Sequence, residues 1–134
     1  MPGALDGVRI LDLSWGIAGP LGVLLLAEQG ADVIKVEPPG GDPFRVYDGS
    51  RVWNRSRRSL EIDLKSDRGR EVFERLLATA DVLVESIRPA VLERPGLGLH
   101  VLTDPHPPHA THPAHASHPD PPYARPPGAQ PPLL

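Results

Sequence analysis

Two short apolar runs, residues 8–13 (VRILDL) and 32–37 (DVIKVE), flank a glycine-punctuated stretch, and this arrangement constrains the fold more than any other feature. Runs of about six residues with few charges suit strands buried on both faces, as in parallel sheets. Between them, Gly16, Gly19 and Pro20 break the chain. Pro20 sits where a helix can begin without losing a needed N–H. Residues 21–29 read as a short buried helix stopped by Gly30, a favourable residue just past a helix end. Strand, helix and strand form one β-α-β unit, a connection that is right-handed in nearly every sheet.

The pattern continues to residue 85. Residues 38–58 read as a long loop, with Gly40, Gly41, Asp42 and Pro43 near its start and Arg55, Arg57 and Arg58 at its end. Residues 60–64 alternate apolar and acidic side chains, as a strand with one wet face does. Ser66 is placed to cap a following helix, and Asp67 favours the positive end of its dipole. Val72, Phe73, Leu76, Leu77 and Ala80 then recur at helical spacing, with Glu71 and Arg75 four apart on another side. Residues 81–85 give a fourth strand. The expected fold class is therefore α/β, a Rossmann-like β-α-β domain with a largely parallel sheet.

Near Leu102 the composition changes. Residues 103–134 hold 11 of the 18 prolines and five of the six histidines, with only three charged residues and no Ile, Val or Leu before Leu133. Such a segment has little to bury against a backbone ordering cost of roughly 1–2 kcal/mol per residue. The expected organisation is an α/β domain over residues 1–102 and a disordered Pro/His-rich tail over 103–134.

Charge and composition exclude several classes of function. The 134 residues carry a formal net charge of −3, so no basic field favours nucleic acid. The chain has no cysteine, hence neither disulfides nor thiolate chemistry. Residues 1–6 lack a basic segment followed by an apolar one, and the longest apolar run, residues 21–27, is far below the ~18 needed to span a bilayer. The expectation is a soluble cytoplasmic protein with no nucleic-acid or membrane partner.

Three clusters invite a chemical reading, each beside a plainer one. Gly16, Gly19 and Gly22 at a strand-to-helix junction, with Glu37 about 20 residues on, outline a dinucleotide site. Their spacing is G-x-x-G-x-x-G, however, and Trp15 occupies the turn, so close helix–sheet packing accounts for them better. Arg55, Arg57, Arg58 and Lys65 can grip a phosphorylated ligand through forked hydrogen bonds. The plainer reading pairs these cations with Asp42, Asp48 and Glu61 on a solvated loop. His106, His109, His112, His115 and His118 recur every third residue, which an extended polyproline helix sets about 9 Å apart. That spacing is too wide for two neighbours to share a zinc ion at about 2 Å, so no metal site is assigned. All histidines lie at or beyond position 100, which leaves the serines without a catalytic partner. Asp12 with Glu37, and Glu61 with Asp63, read as cap or surface carboxylates.

The order of these segments resembles the N-terminal part of the class III CoA-transferases, a family that includes formyl-CoA and carnitine CoA-transferases and the related α-methylacyl-CoA racemases. The resemblance rests on residues 5–13 (LDGVRILDL), 18–20 (AGP), 30–38 (GADVIKVEP), Gly41 with Asp42, and 54–65 (NRSRRSLEIDLK). It continues through 69–71 (GRE), 80–85 (ADVLVE), Arg88 with Pro89, and Leu97 with Gly98. It implies a Rossmann-like domain along which CoA lies, with Ile62, Lys65, Ser86, Ile87 and Arg94 at the positions that contact CoA. Ser86 and Ile87 stand where Asn-Phe is typical, Ile17 where the formyl-CoA enzyme has a glutamine, and Pro38 where some members have an arginine.

The resemblance further implies that CoA or acyl-CoA is a substrate rather than a permanently bound cofactor, and that a complete member is a homodimer. The transferases attack the thioester with an aspartate carboxylate, a covalent route through a weak but well-placed nucleophile. That aspartate belongs to a part of the family pattern beyond residue 134. The expected function is thus the CoA-binding portion of a class III CoA-transferase, truncated and inactive alone, with no catalytic residue among these 134. The alternatives are a fragment of an α-methylacyl-CoA racemase and a non-catalytic CoA- or metal-binding module.

Overall fold

The computed structural model describes residues 2–86 and, by backbone alone, the strand Ala110–Pro113. The elements run β1 (Arg9–Leu13), α1 (Ala18–Glu28), β2 (Asp32–Glu37), a 3₁₀ turn (Pro43–Val46), α2 (Ser50–Trp53), β3 (Arg58–Glu61), α3 (Asp67–Leu77), β4 (Val82–Glu85) and β5 (Ala110–Pro113). They form one five-stranded sheet in the order β3-β2-β1-β4-β5. Every strand pair is parallel, with Ile10 opposite both Val33 and Val82. The chain winds outward from β1 to β2 and β3 on one side, then returns to β4 on the other, so the order reverses between β1 and β4.

Helices cover both faces. On one, Phe73 and Leu77 of α3 pack against Leu11, Leu13, Ile34, Val36 and Leu83. On the other, Val23 of α1 packs against Ile10, Val33 and Val84, with Ala27 partly buried at the edge. The helical spacing of Phe73, Leu77 and Ala80 thus marks buried residues, while Val72 and Leu76 are half-covered.

Local signals act as the sequence suggested. Ser66 Oγ accepts the Gly69 N–H at 3.0 Å and caps α3. Gly30 has φ +102° just past α1, where an L side chain is strained and a Cβ would meet Asp6.

Three boundaries differ from the sequence reading. α1 begins at Ala18, so Pro20 lies inside its first turn. β3 spans Arg58–Glu61 rather than 60–64, because the chain leaves the sheet edge after Glu61 and turns Ile62 into the core. Residues 38–58 are not a plain loop, since they contain the 3₁₀ turn and α2.

The expectation of a wholly disordered tail is corrected at Ala110–Pro113, which pairs with β4 from Val82 opposite Ala110 to Glu85 opposite Pro113. An edge strand draws on backbone hydrogen bonds rather than buried side chains, so apolar content does not announce it. A proline is tolerated at the end of such a strand. The rest of 103–134, including the remaining histidines, lies outside the described residues. Among the described residues no helix is long and apolar enough to cross a membrane.

Candidate functional site

The two halves of the α1-side sheet face differ in chemistry. Its amino half is apolar, with Ile10, Val33 and Val82 in one row. Its carboxyl half carries Asp12 on β1 and Lys35 and Glu37 on β2, all buried, with Ser14 buried just beyond β1. The alternation of strand side chains puts Val33, Lys35 and Glu37 on this face while Ile34 and Val36 face α3. The segment from Asp42 to Arg57, not a long helix, closes over the ionic half.

Each buried charge there has an opposite partner. Arg57, whose side chain is 2% exposed, meets Asp12 at 2.5 Å and donates to the carbonyls of Pro20 and Trp53 at 2.6 Å each. Burial pushes the Arg57 guanidinium below its ordinary range, and the Asp12 carboxylate works against that shift. Asp12 also accepts the Ser14 N–H at 2.8 Å and the Ser14 hydroxyl. Lys35 Nζ donates to the Ser14 carbonyl at 2.7 Å and lies 3.1 Å from Asp42 Oδ2, an ion pair without hydrogen-bond alignment. Glu37 takes a forked contact from Arg45 at 2.8 Å and accepts the Asp42 N–H at 3.1 Å. Hydrogen bonding to Glu37 raises the Arg45 guanidinium above its usual range.

This layer fixes where β1 ends. Ser14 is held through its N–H, hydroxyl and carbonyl, so the turn that follows leaves the sheet at a defined place. Gly16, at φ +80°, makes that turn, and a Cβ there would stand 3.8 Å from the Phe44 ring. Gly19 sits so close to Ser14 that a Cβ would come within 2.5 Å of the serine Cβ. Within the glycine cluster, Gly19 therefore serves close helix–sheet packing and Gly16 the turn, whereas a Cβ on Gly22 would meet open space. Glu37, engaged with Arg45, has no free edge for a ribose hydroxyl.

At the β1/β4 reversal, Ser86 Oγ accepts the Trp15 N–H at 2.7 Å. This contact spans 71 positions of sequence and ties the turn after β1 to the end of β4. In open α/β sheets, ligands bind beyond the carboxyl ends of the strands at such a reversal. A recess of about 330 Å³ lies on the β2/β3 side of the sheet, lined by Lys35, Glu37, Arg45, Ser50, Arg51, Asn54, Arg57 and Ser59. Among the described residues, Arg57 Nε and Asn54 Oδ1 are buried there without a hydrogen-bond partner.

The residues assigned from sequence divide into two groups. Ile62 and Lys65 lie on the connection from β3 to α3. The Ile62 side chain is buried against α3, its N–H donating to the Glu37 carbonyl at 2.8 Å, whereas Lys65 is exposed. Ser86 lies beyond β4, half-buried and engaged with Trp15. All three sit past carboxyl ends of strands, but β2 and β1 stand between β3 and β4, three strand spacings or about 14 Å. Ile87 and Arg94 lie outside the described residues.

The arginine cluster is paired, but not with Asp42, Asp48 or Glu61. Arg55 binds Glu28, Arg57 binds Asp12 and Arg58 binds Asp32. Asp12 and Glu37, which read from sequence as cap or surface carboxylates, are both buried. The signal available was their place in two apolar runs, where an ionisable side chain on the inner face must find a partner. Among the described residues no cluster of His, Asp or Glu is arranged to hold a metal ion.

Residues 5–109 match the model of CoA-transferase family III. The chain is 43% identical over 118 residues to the succinyl-CoA:mesaconate CoA-transferase of Haloarcula hispanica, an alignment covering 78% of this chain and 30% of that protein. It is 46% identical over 106 residues to the formyl-CoA:oxalate CoA-transferase of Rhodopseudomonas palustris, covering 72% of this chain and 25% of the relative. The crystal structure of Rv3272 from Mycobacterium tuberculosis superposes with a TM-score of 0.82 at 34% identity, covering 94% of this chain and 36% of that one. The chain thus spans less than a third of the length of the curated relatives it matches. A family match over most of the sequence, and a shared fold with a solved structure, identify the chain as a member of CoA-transferase family III.

Proposed function

We propose that these residues form the CoA-binding end of an enzyme that transfers CoA between an acyl-CoA and a carboxylic acid. CoA lies across the carboxyl ends of the strands, from Ile62 and Lys65 after β3 to Ser86 after β4, with Ile87 and Arg94 completing the contact. The observation that carries this reading is the reversal of strand order between β1 and β4, with the exposed turn beyond β1 tied to Ser86 beyond β4. A long, extended ligand suits two contact groups set about 14 Å apart better than a compact one does. Exposed Lys65 supplies a cation for a phosphate, and the Ile62 backbone follows the same edge. The buried ion pairs beneath serve as scaffold.

In this reading the carboxylate that attacks the thioester is not among these 134 residues. The chain binds CoA without exchanging it, and a complete enzyme works as a cytoplasmic homodimer. Titration calorimetry of the chain with CoA is expected to give saturable binding. Lys65→Ala weakens it by about ten-fold or more, as fits a lost charge-assisted contact of about 1.5–3 kcal/mol. Absence of CoA binding refutes the proposal, and thioester exchange by the chain alone refutes its non-catalytic part.

A further inference from the structure

The turn beyond β1 presents an apolar surface to the crevice. Trp15 and Ile17 are 39% and 49% exposed on either side of Gly16. The Phe44 ring lies against Gly16, and Tyr47 extends the surface with its ring centroid 5.7 Å from that of Phe44. Residues 15–21 (WGIAGPL) contain no ionisable side chain.

Three of the described cations at this end of the sheet are already engaged. Lys35 and Arg57, 1% and 2% exposed, are held by Asp42 and Asp12, and Arg45 grips Glu37 with two contacts. A ligand carboxylate set beside Trp15 and Ile17 would lose water and meet no cation within residues 15–21. An alkyl group would lose only apolar hydration.

We infer that the crevice takes thioesters of apolar acyl groups in preference to those of dicarboxylic acids, with Trp15 and Ile17 as the residues that set this specificity. The inference rests on the CoA-binding reading above and deepens it by naming the acyl class. The Ser86 hydroxyl, through the Trp15 backbone, keeps the two side chains at the reversal point.

The test is competitive binding to the full 134-residue chain with CoA, succinyl-CoA and octanoyl-CoA. A fully buried methylene is worth about four-fold in affinity, and a rim half open to water gives about two-fold. Octanoyl-CoA is therefore expected to bind at least about ten-fold more tightly than succinyl-CoA. Ile17→Lys adds a cation at an exposed position and is expected to bring the two within about two-fold. Trp15→Ala reduces the preference without adding charge. The readout is a ratio for one folded sample, so a general loss of stability does not mimic the effect.

Equal affinity for the two thioesters, or tighter succinyl-CoA, overturns this inference while CoA binding leaves the broader reading standing. A preference that survives both substitutions overturns the assignment to Trp15 and Ile17. Absence of binding by any of the three ligands overturns both readings.

Discussion

Asp12 and Arg57 lie 45 positions apart and meet with both side chains almost fully buried. Two charges withdrawn from water gain little net stability over a well-packed apolar pair, but removing one leaves the other stranded. Arg57→Ala is expected to lose about 3–5 kcal/mol in urea unfolding. The double substitution with Asp12→Ala should lose less than the sum of the single ones. Asp32 behaves differently because its pairs with Arg9 and Arg58 are partly exposed. Burial pushes its carboxyl up, but hydrogen bonds from Arg58 and Arg9 outweigh that and hold it below the usual range. A carboxyl depressed on folding stabilises above its unfolded value of 3.8 and loses that contribution as pH falls through its folded value. Wild-type protein should therefore lose more stability than Asp32→Asn between pH 5 and strongly acid solution, by well under about 1 kcal/mol for such exposed pairs. Parallel denaturation curves for the two proteins on acidification would contradict this.

Among the elements, α3 and α1 owe their stability to different things. α3 has a defined cap and a sharply apolar face, with Phe73 and Leu77 inside and charges outside. Ser66→Ala removes the capping acceptor for the Gly69 N–H and should lower stability by about 1 kcal/mol, measured by thermal or urea unfolding. Restoring the acceptor with Ser66→Asp should recover most of that loss. α1 is apolar nearly all round and has no side-chain cap. It depends on packing, and the contact of Gly19 with Ser14 sets how close it comes to β1.

For the whole molecule, the exposed side of α1 is the main liability. Leu21 and Leu25, four residues apart, are 45% and 60% exposed, and Val46 and Val52 add apolar surface on the 42–57 segment. Contiguous exposed leucines favour self-association. The wild-type chain is expected to aggregate or melt with weak cooperativity. Leu21→Glu with Leu25→Glu should raise the concentration at which it stays monomeric in light scattering, with little change in the α3-side core. A sharp, reversible melt of monomeric wild-type protein would contradict this expectation. The same substitutions leave sheet order untouched, because the Ile10, Leu11, Val33 and Leu83 contacts lie beneath the helices.

Much of this fold was legible before any coordinates. The apolar runs at 8–13 and 32–37, the helical spacing from Val72 to Ala80, the Ser66 cap and Gly30 beyond α1 each report a local requirement of the backbone, which neighbouring residues satisfy. The family resemblance, too, lies in those linear blocks. Which arginine meets which acid was not legible: Arg57 could have been a phosphate ligand or a solvated loop residue until β1 brought Asp12 beneath it. Nor did spacing reveal that Asp12 and Glu37 are interior, that Ser86 reaches Trp15, or that Ala110–Pro113 adds an edge strand with scant apolar content. Periodicity and capping are decided within a few residues along the chain. Ion pairing, burial of charge and strand order are decided by which segments the closed sheet makes neighbours, and only the tertiary structure determines that.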